Sequence, residues 1–308
     1  MKILLHCPDW GNRWIPYFKK ELSRYDLTVT HSMDDKVVGP MSEEADVLIS
    51  MWLSEAIAFW SHCYPHKKII SYCRRYEVWQ DESFDMIDFN PVNAVIFVSD
   101  YIRRVFLKRF TKGIPPKTYL IPNGVNLDEF PLRGPMAGTN KIALACMMKG
   151  VKNIPMAFQI LKVLPKRYTL YHVGVPKDWA TYGELMSYMH KLGLGNRFFQ
   201  EGYLKPEYME KWFQDKDFIL STSISEGNPV NVLEAMAMGI KPVIHAWPGA
   251  RDQFPEAHIF ETVDQAVNII QSDEYNAQAY RHYVEIGYST DNYQKIHGVI
   301  EEVCDDKV

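Results

Sequence analysis

Short runs of apolar and β-branched residues alternate along the chain with stretches in which apolar residues recur every three or four positions. The runs are typical of buried strands, and the longer spacing is typical of helices that pack one face on a core. The first run, KILLHC, ends in the turn-forming residues PDWGN. We predict strands at 2–7, 45–52, 67–73, 93–99, 118–125, 141–147, 168–174, 197–203, 217–223 and 241–246, and helices at 15–25, 100–110, 153–163, 181–192, 206–214, 229–238 and 289–304.

Strands that alternate with helices indicate parallel sheets covered on both faces, so the predicted class is α/β with two Rossmann-like domains. The stretch 131–140 holds two Pro and two Gly and is the predicted linker. We expect an N-terminal domain at 1–130, a second domain at 140–285 and a C-terminal helix at 289–308 that packs back toward the first domain. Ligands of such sheets bind beyond the carboxyl ends of the strands, so two facing domains predict a cleft.

The composition narrows the class of protein further. The 308 residues are 47% hydrophobic and carry a formal net charge of −4, which does not favour a general nucleic-acid binder. Five scattered cysteines without a C-x-x-C pair favour free thiols in a reducing compartment over disulfides or a zinc site. The sequence has no signal-peptide pattern and no run long enough for a membrane span, so we expect a cytoplasmic protein without a transmembrane segment.

The segment SEGNPVNVLEAMAMG at 225–239 places two glutamates eight positions apart around the start of a predicted helix. Glu226 falls on the loop after a strand, and Glu234 falls inside the helix. We expect Asn228 to cap this helix, Pro229 to take its first position and Gly239 to end it.

The unpaired N–H groups at such a helix start, together with the helix dipole, form a site for phosphate. A carboxylate on either side offers acceptors for vicinal hydroxyls. A long ligand with a central diphosphate, such as a nucleotide sugar, has the shape that this arrangement requires.

The same segment, continued as IKPVI, resembles the E-x7-E region of retaining glycosyltransferases of the GT-B fold, family 4 type. Further similarity follows in the family's order at VIFVSDYIRRVF, LIPNGVNLDEF, KNIPMAFQIL and EGYLKPEYMEKWFQDKDFILSTS, and together the matches span most of residues 93 to 254.

The resemblance implies roles for individual residues. Glu226 would contact the donor sugar near the reacting carbon, and Glu234 would bind the nucleotide ribose. The backbone of Tyr203 and Leu204 would flank the base. The residues that would line the diphosphate and sugar are Gly227, Asn228, Pro229, Val230 and Asn231.

The chain departs from the family pattern at the start of the second domain. Cys146 and Met147 stand where the family usually has a Gly-Arg pair that braces the leaving diphosphate. Lys152 matches the family's second cation, and Lys149 is either a substitute for the missing arginine or a solvated surface residue. Lysine does not reproduce the forked contact of arginine, so the departure puts the phosphate contacts and the activity in question.

Candidates on the acceptor side come from the first domain. Gly11 lies in the first loop and permits close approach of a ligand, and Trp10 and Trp14 either stack on a sugar or form part of a wall between the domains. Arg74, Arg75 and Glu77 follow a strand and therefore either face the cleft or are surface charges.

A basic stripe follows the fourth predicted strand. It consists of Arg103, Arg104, Lys108, Arg109 and Lys112, and it is either a solvated helix face or a site for a phosphorylated acceptor, an anionic membrane or nucleic acid. His6 and His172 lie in apolar runs and are expected to be core residues. Asp215 and Asp217 precede a strand, so no metal site is expected there.

The predicted function is transfer of a sugar from a nucleotide-sugar donor, with retention of the anomeric configuration implied by the resemblance. We expect a metal-independent, hexosyl-type transferase that has no cofactor beyond its nucleotide-sugar co-substrate. The acceptor is open among a glycan, a lipid-linked sugar, a protein, a small molecule and a modified nucleic acid. The alternatives are a non-catalytic nucleotide or sugar binding protein and a GT-B-fold epimerase or phosphorylase.

Overall fold

The computed structural model describes residues 1–79, 84–110 and 116–305, apart from the side chain of Trp10. The chain forms two compact units. One comprises Met1–Asn123 together with Thr290–Val308, and the other comprises Gly124–Ser289. The first unit thus ends before the Pro- and Gly-rich stretch 131–140 in which the linker was predicted.

The first unit is built on a six-stranded sheet in the order β2-β1-β3-β4-β5-β6, and every neighbouring pair is parallel. The inner strands are buried almost throughout, as expected for a parallel sheet covered on both faces. The strands are β1 (Lys2–His6), β2 (Asp26–Thr30), β3 (Val47–Ser50), β4 (Lys68–Cys73), β5 (Val92–Phe97) and β6 (Lys117–Leu120).

Helices flank this sheet, and one of them comes from the far end of the chain. Side chains of Tyr293, Ile296 and Ile300 pack into the same apolar cluster as Ile3 and Val47, so the C-terminal segment belongs to the core of the first unit. The helices described in this unit are α1 (Ile15–Glu21), α2 (Asp35–Glu44), α3 (Glu55–Cys63), α4 (Asp100–Arg109) and α11 (Ile296–Asp305).

The second unit repeats the architecture with a sheet in the order β12-β11-β10-β7-β8-β9, again parallel throughout. Its strands are β7 (Lys141–Ala145), β8 (Thr169–Val173), β9 (Phe198–Gln200), β10 (Phe218–Ser221), β11 (Lys241–His245) and β12 (Ile259–Phe260). Its helices are α5 (Ile154–Val163), α6 (Trp179–Lys191), α7 (Met209–Phe213), α8 (Val230–Ala237), α9 (Val263–Gln271) and α10 (Ala277–Tyr288).

Each sheet has one point at which the strand order reverses. In the first sheet it lies between β1 and β3, and in the second it lies between β7 and β10. The loops on either side of such a point turn to opposite faces of the sheet and leave a crevice between them at the carboxyl ends of the strands. The topology alone therefore marks one edge of each unit as its candidate site.

The predicted α/β class with two Rossmann-like sheets is confirmed, and all ten predicted strands are present. Two of the strands and four of the helices in the described residues were not predicted. β2 is a half-exposed edge strand and β12 has only two residues. Helix α2 contains Pro40, a residue that disfavours helix interiors, and α3 is buried on most sides and so lacks clear periodicity. Helices α9 and α10 were also missed, although Thr262 and Gln265 form a capping box at the start of α9.

None of the helices described at 1–79, 84–110 and 116–305 is long and apolar enough to cross a membrane.

The packing around Gly11 yields a stability prediction. A Cβ built on Gly11 would lie 2.3 Å from the Trp52 ring and 2.8 Å from the Cys7 Sγ, so alanine there forces the buried indole to move. We expect Gly11→Ala to lower the free energy of unfolding by about 1–3 kcal/mol. Gly298→Ala is the matched control, because nothing lies within 4 Å of its Cβ position in helix α11, and it should raise stability by about 0.5–1 kcal/mol. Equal urea midpoints for both variants would contradict this packing.

Candidate functional site

The strand reversal in the second sheet brings together the loop after β7 and the loop after β10. The first loop contains Lys149 and a short 3-10 turn, Gly150–Lys152. The second loop contains Glu226 and leads into helix α8, which begins at Val230. The two glutamates and the lysine singled out in the sequence are therefore grouped at one edge of one sheet.

An ion pair joins the two loops. The Lys152 Nζ donates to Oε1 of Glu226, and the Ser223 hydroxyl donates to the same oxygen at 2.6 Å. The side chains of Lys152 and Glu226 are only 19% and 11% exposed, so water screens their interaction less than it screens a surface pair.

Backbone contacts hold both partners of this pair in place. The Thr222 hydroxyl donates to the carbonyl of Lys152 at 2.8 Å, and the Ile224 N–H donates to the Val151 carbonyl at 2.9 Å. One hydrogen bond from a side chain and one between main chains thus join the two loops beside the ion pair.

Sequence reasoning missed Ser223, Thr222 and His245 as parts of this site. His245 ends β11, and its Nδ1 lies 2.8 Å from the Ser223 carbonyl. The signal available in the sequence was position, since all three lie at the carboxyl ends of β10 and β11, where side chains converge on the same edge of the sheet.

The start of helix α8 differs by one residue from the prediction. Pro229 is the N-cap residue and Val230 opens the helix, whereas Asn228 was expected to cap it. The Asn228 amide instead donates to Oε1 of Gln253 at 3.1 Å, and both side chains are buried. A buried amide partner has displaced the capping interaction.

The first turn of α8 presents backbone N–H groups that lack acceptors within the helix, at the positive end of its dipole. The Asn231 side chain donates to the Ala145 carbonyl at 2.7 Å and so ties this turn to the end of β7. Gly227 and Pro229 are buried in the loop that leads into the turn, and Gly239 ends the helix at φ 82°, as predicted.

Glu234 lies one turn inside α8 and is 2% exposed. Helix α8 is buried on nearly all sides, and Leu233 and Ala235, which flank Glu234 in the sequence, are buried as well. The proposed contact of Glu234 with a ribose remains a prediction.

The two residues at the family's Gly-Arg positions bring no cation to this edge. Burial raises the pKa of the Cys146 thiol to about 12, so it stays neutral at physiological pH. Met147 is 44% exposed. Lys149 is half-buried and, with Thr181, Glu184 and Tyr188, lines a cavity of about 440 Å³ beside α5 and α6.

Tyr203 and Leu204 lie in the loop after β9. The Gly174 N–H donates to the Gly202 carbonyl at 2.7 Å and joins this loop to the one after β8. Tyr203 is 69% exposed and its ring is available for stacking, while Leu204 is half-buried.

In the first unit, Arg74 has partners within the protein. Its guanidinium lies against the rings of Trp14 and Trp52, 4.5 and 4.7 Å from their centroids, and it donates to Oδ1 of Asn123. The residue is 8% exposed. These contacts link the loop after β4 to the residues that follow β1, β3 and β6. The predicted contact of Arg74 with an acceptor stays a prediction.

Glu77 lies beside Arg74 and is 1% exposed. One carboxylate oxygen accepts from the Arg74 backbone N–H at 3.1 Å, and burial raises the pKa of the carboxyl to about 7.

The other candidates of the first unit are Arg75, Gly11 and Trp10. Arg75 is half-buried, and the Trp52 ring packs directly against Gly11. Trp10 lies in the 3-10 turn Asp9–Trp14, and its side chain is outside the described part of the structure.

The described residues of the basic stripe lie on helix α4, and its three arginines have partners within the protein. Arg103 and Arg104 of the basic stripe pair with Asp100, and Arg109 donates to the Val78 carbonyl at 2.9 Å. Lys108 is exposed on the same helix, and Lys112 lies outside the described residues.

His6 and His172 are buried, and burial lowers the pKa of each to about 4, so both are neutral at physiological pH. Asp217 accepts from the Asn140 N–H at 2.6 Å, and Asp215 pairs with Lys141. Across residues 1–79, 84–110 and 116–305, no three His, Cys, Asp or Glu side chains are grouped to hold a metal ion.

Comparison with known proteins agrees with this geometry. Residues 145–285 match the family model described as "Glycosyl transferases group 1", a range that contains the ion pair and helix α8. A search of curated proteins gives no significant match. The matched residues all lie within the second unit, Gly124–Ser289.

Solved structures resemble the whole chain. The HepE protein of Anabaena in complex with UDP-glucose is 16% identical, with a TM-score of 0.79 over 98% of this chain and 100% of that one. Sucrose-phosphate synthase of Thermosynechococcus elongatus is 15% identical, with a TM-score of 0.74 over 98% of each chain. The lipopolysaccharide outer core galactosyltransferase WaaB without ligand is 15% identical, with a TM-score of 0.72 over 98% and 99%. At these identities the likeness shows the fold, which is that of GT-B glycosyltransferases.

The buried Glu77 carboxyl predicts a pH dependence of stability. Its pKa is about 7 in the folded protein and near 4.5 in the unfolded chain. The stability that the neutral carboxyl contributes is therefore fully present below pH 4.5 and is lost as pH rises through 7. We expect Glu77→Gln to gain about 2 kcal/mol relative to the wild type between pH 5 and pH 8, because the variant has no charge to bury. Urea unfolding at both pH values measures this, and a difference that does not change with pH would refute it.

Proposed function

We propose that the protein is a retaining, metal-independent hexosyltransferase that takes its sugar from a nucleotide-diphosphate donor bound to the second unit. The observation that supports this most is the convergence of Lys152, Glu226 and the start of α8 at the reversal point of a sheet whose sequence matches a glycosyltransferase family. The UDP and UDP-glucose bound to HepE favour a UDP-sugar as the first donor to test.

The proposed pose places the diphosphate at the start of α8. The backbone N–H groups of Gly227, Asn228, Val230 and Asn231, together with the helix dipole, favour the phosphate oxygens, and Pro229 between them has no N–H to donate. Lys152, and Lys149 in place of the missing arginine, supply positive charge as the bond between sugar and phosphate breaks. Dipoles and cations that are already oriented stabilise a departing diphosphate without reorganising, and this supports a mechanism independent of metal.

The sugar would lie against Glu226 and the ribose against Glu234. Glu226 presents a carboxylate that accepts hydrogen bonds from sugar hydroxyls and favours positive charge that develops at the reacting carbon. Tyr203 and Leu204 would flank the base. In a retaining transfer the acceptor hydroxyl bonds to the carbon on the face that the phosphate leaves, and its proton passes to solvent or to the leaving phosphate.

The acceptor would belong to one of the classes considered from the sequence, and its candidate contacts lie at the carboxyl edge of the first sheet. That edge carries Trp14 and Arg74. We place the protein in the cytoplasm, and the five free cysteines support a reducing compartment.

A non-catalytic nucleotide-sugar binding protein is the second candidate. Met147 favours it, because a thioether at the arginine position contributes no charge to a leaving phosphate. The two candidates differ in one readout: the transferase releases nucleoside diphosphate from its donor, and the binding protein does not.

The donor site is tested by thermal stabilisation with UDP, GDP, ADP, CMP and their sugar conjugates. A ligand at 100 times its dissociation constant adds about 2.7 kcal/mol, which raises the melting temperature by several degrees. We expect one nucleotide family to stabilise the wild type and Glu234→Ala to lose most of that shift. Lys205→Ala is the matched control, since this exposed lysine pairs with the exposed Glu207 and should keep the shift. A panel in which no nucleotide changes the melting temperature would refute the proposed donor site.

A further inference from the structure

The ion pair between Lys152 and Glu226 engages two groups that the proposed donor also needs. Lys152 would turn to the diphosphate, and Glu226 would turn to the sugar hydroxyls. Without a ligand the two groups satisfy each other across the reversal point. Any ligand that takes one of them therefore competes with an interaction inside the protein.

We infer that this ion pair makes the site discriminate against the spent nucleoside diphosphate and in favour of the intact nucleotide sugar. The inference rests on the proposed function. A nucleoside diphosphate draws Lys152 away and offers nothing to Glu226. A nucleotide sugar draws Lys152 away and returns hydroxyl donors to Glu226.

The penalty for the spent nucleotide follows from burial. The Glu226 side chain is 11% exposed, and when Lys152 leaves, the carboxylate keeps the hydrogen bond from the Ser223 hydroxyl. Removing one member of a buried pair leaves a charge that is poorly solvated, and this costs more than the same change at the surface. The sugar hydroxyls remove this penalty, so it falls on the product and not on the substrate.

The local structure lets the lysine change partners while the backbone stays in place. The Lys152 carbonyl is held by the Thr222 hydroxyl, and the neighbouring Val151 carbonyl is held by the Ile224 N–H. Only the flexible methylene chain and the Nζ have to move. After transfer, the return of Lys152 to Glu226 would help to expel the nucleoside diphosphate.

The test measures binding of UDP and of UDP-glucose by calorimetry to the wild type, Glu226→Gln and Glu234→Gln. Glutamine keeps the shape of Glu226 but removes its charge, so Lys152 is released to the phosphate. We expect Glu226→Gln to bind UDP at least 3-fold more tightly than the wild type and UDP-glucose more weakly. Glu234→Gln should weaken both ligands by the same factor, because the ribose is common to them.

The outcomes separate the inference from the function on which it rests. If the wild type binds UDP and Glu226→Gln binds it equally or more weakly, the inference is wrong and the donor site stands. If neither protein binds UDP or another nucleoside diphosphate of the panel, the proposed function fails and the inference fails with it. Ligand-free melting curves of the three proteins establish that each variant is folded.

Discussion

The reversal of strand order between β7 and β10 is the constraint on which the candidate site depends. Parallel strands put all their carboxyl ends at one edge, and the reversal separates two neighbouring loops so that they face each other across a crevice. One loop contains Lys152, the other contains Glu226, and the second continues into helix α8. A cation, a carboxylate and a helix start then converge although 74 residues separate the first two in sequence.

Local pattern was enough to predict this arrangement in outline. β-branched runs predicted the inner strands, and the segment from Glu226 to Gly239 predicted a helix flanked by acids. The ion pair was not predictable, because Lys152 and Glu226 are remote in sequence and only the sheet brings them together. Asn228 shows the same limit. Asparagine is a residue type that often caps helices, but the Asn228 side chain donates a hydrogen bond to the buried amide of Gln253 instead.

In the first unit, burial changes the role that is inferred for the charged residue Arg74. Arg74 was a candidate for acceptor binding because it follows a strand at the carboxyl edge. The structure places its guanidinium against the rings of Trp14 and Trp52 and links it to Asn123, so it joins loops that follow three different strands and the turn after β1. A buried cation against two indole rings stabilises this edge of the first sheet, and sequence spacing gives no indication of such contacts.

The central claim is that a nucleotide-diphosphate sugar binds at the carboxyl edge of the second sheet. A crystal structure of the protein with the stabilising nucleoside diphosphate and its sugar conjugate tests it most directly. The account predicts phosphate oxygens within hydrogen-bond distance of the first-turn N–H groups of α8 and of the Lys152 Nζ, with the sugar against Glu226. A nucleotide bound away from the loops after β7 and β10 would contradict the account.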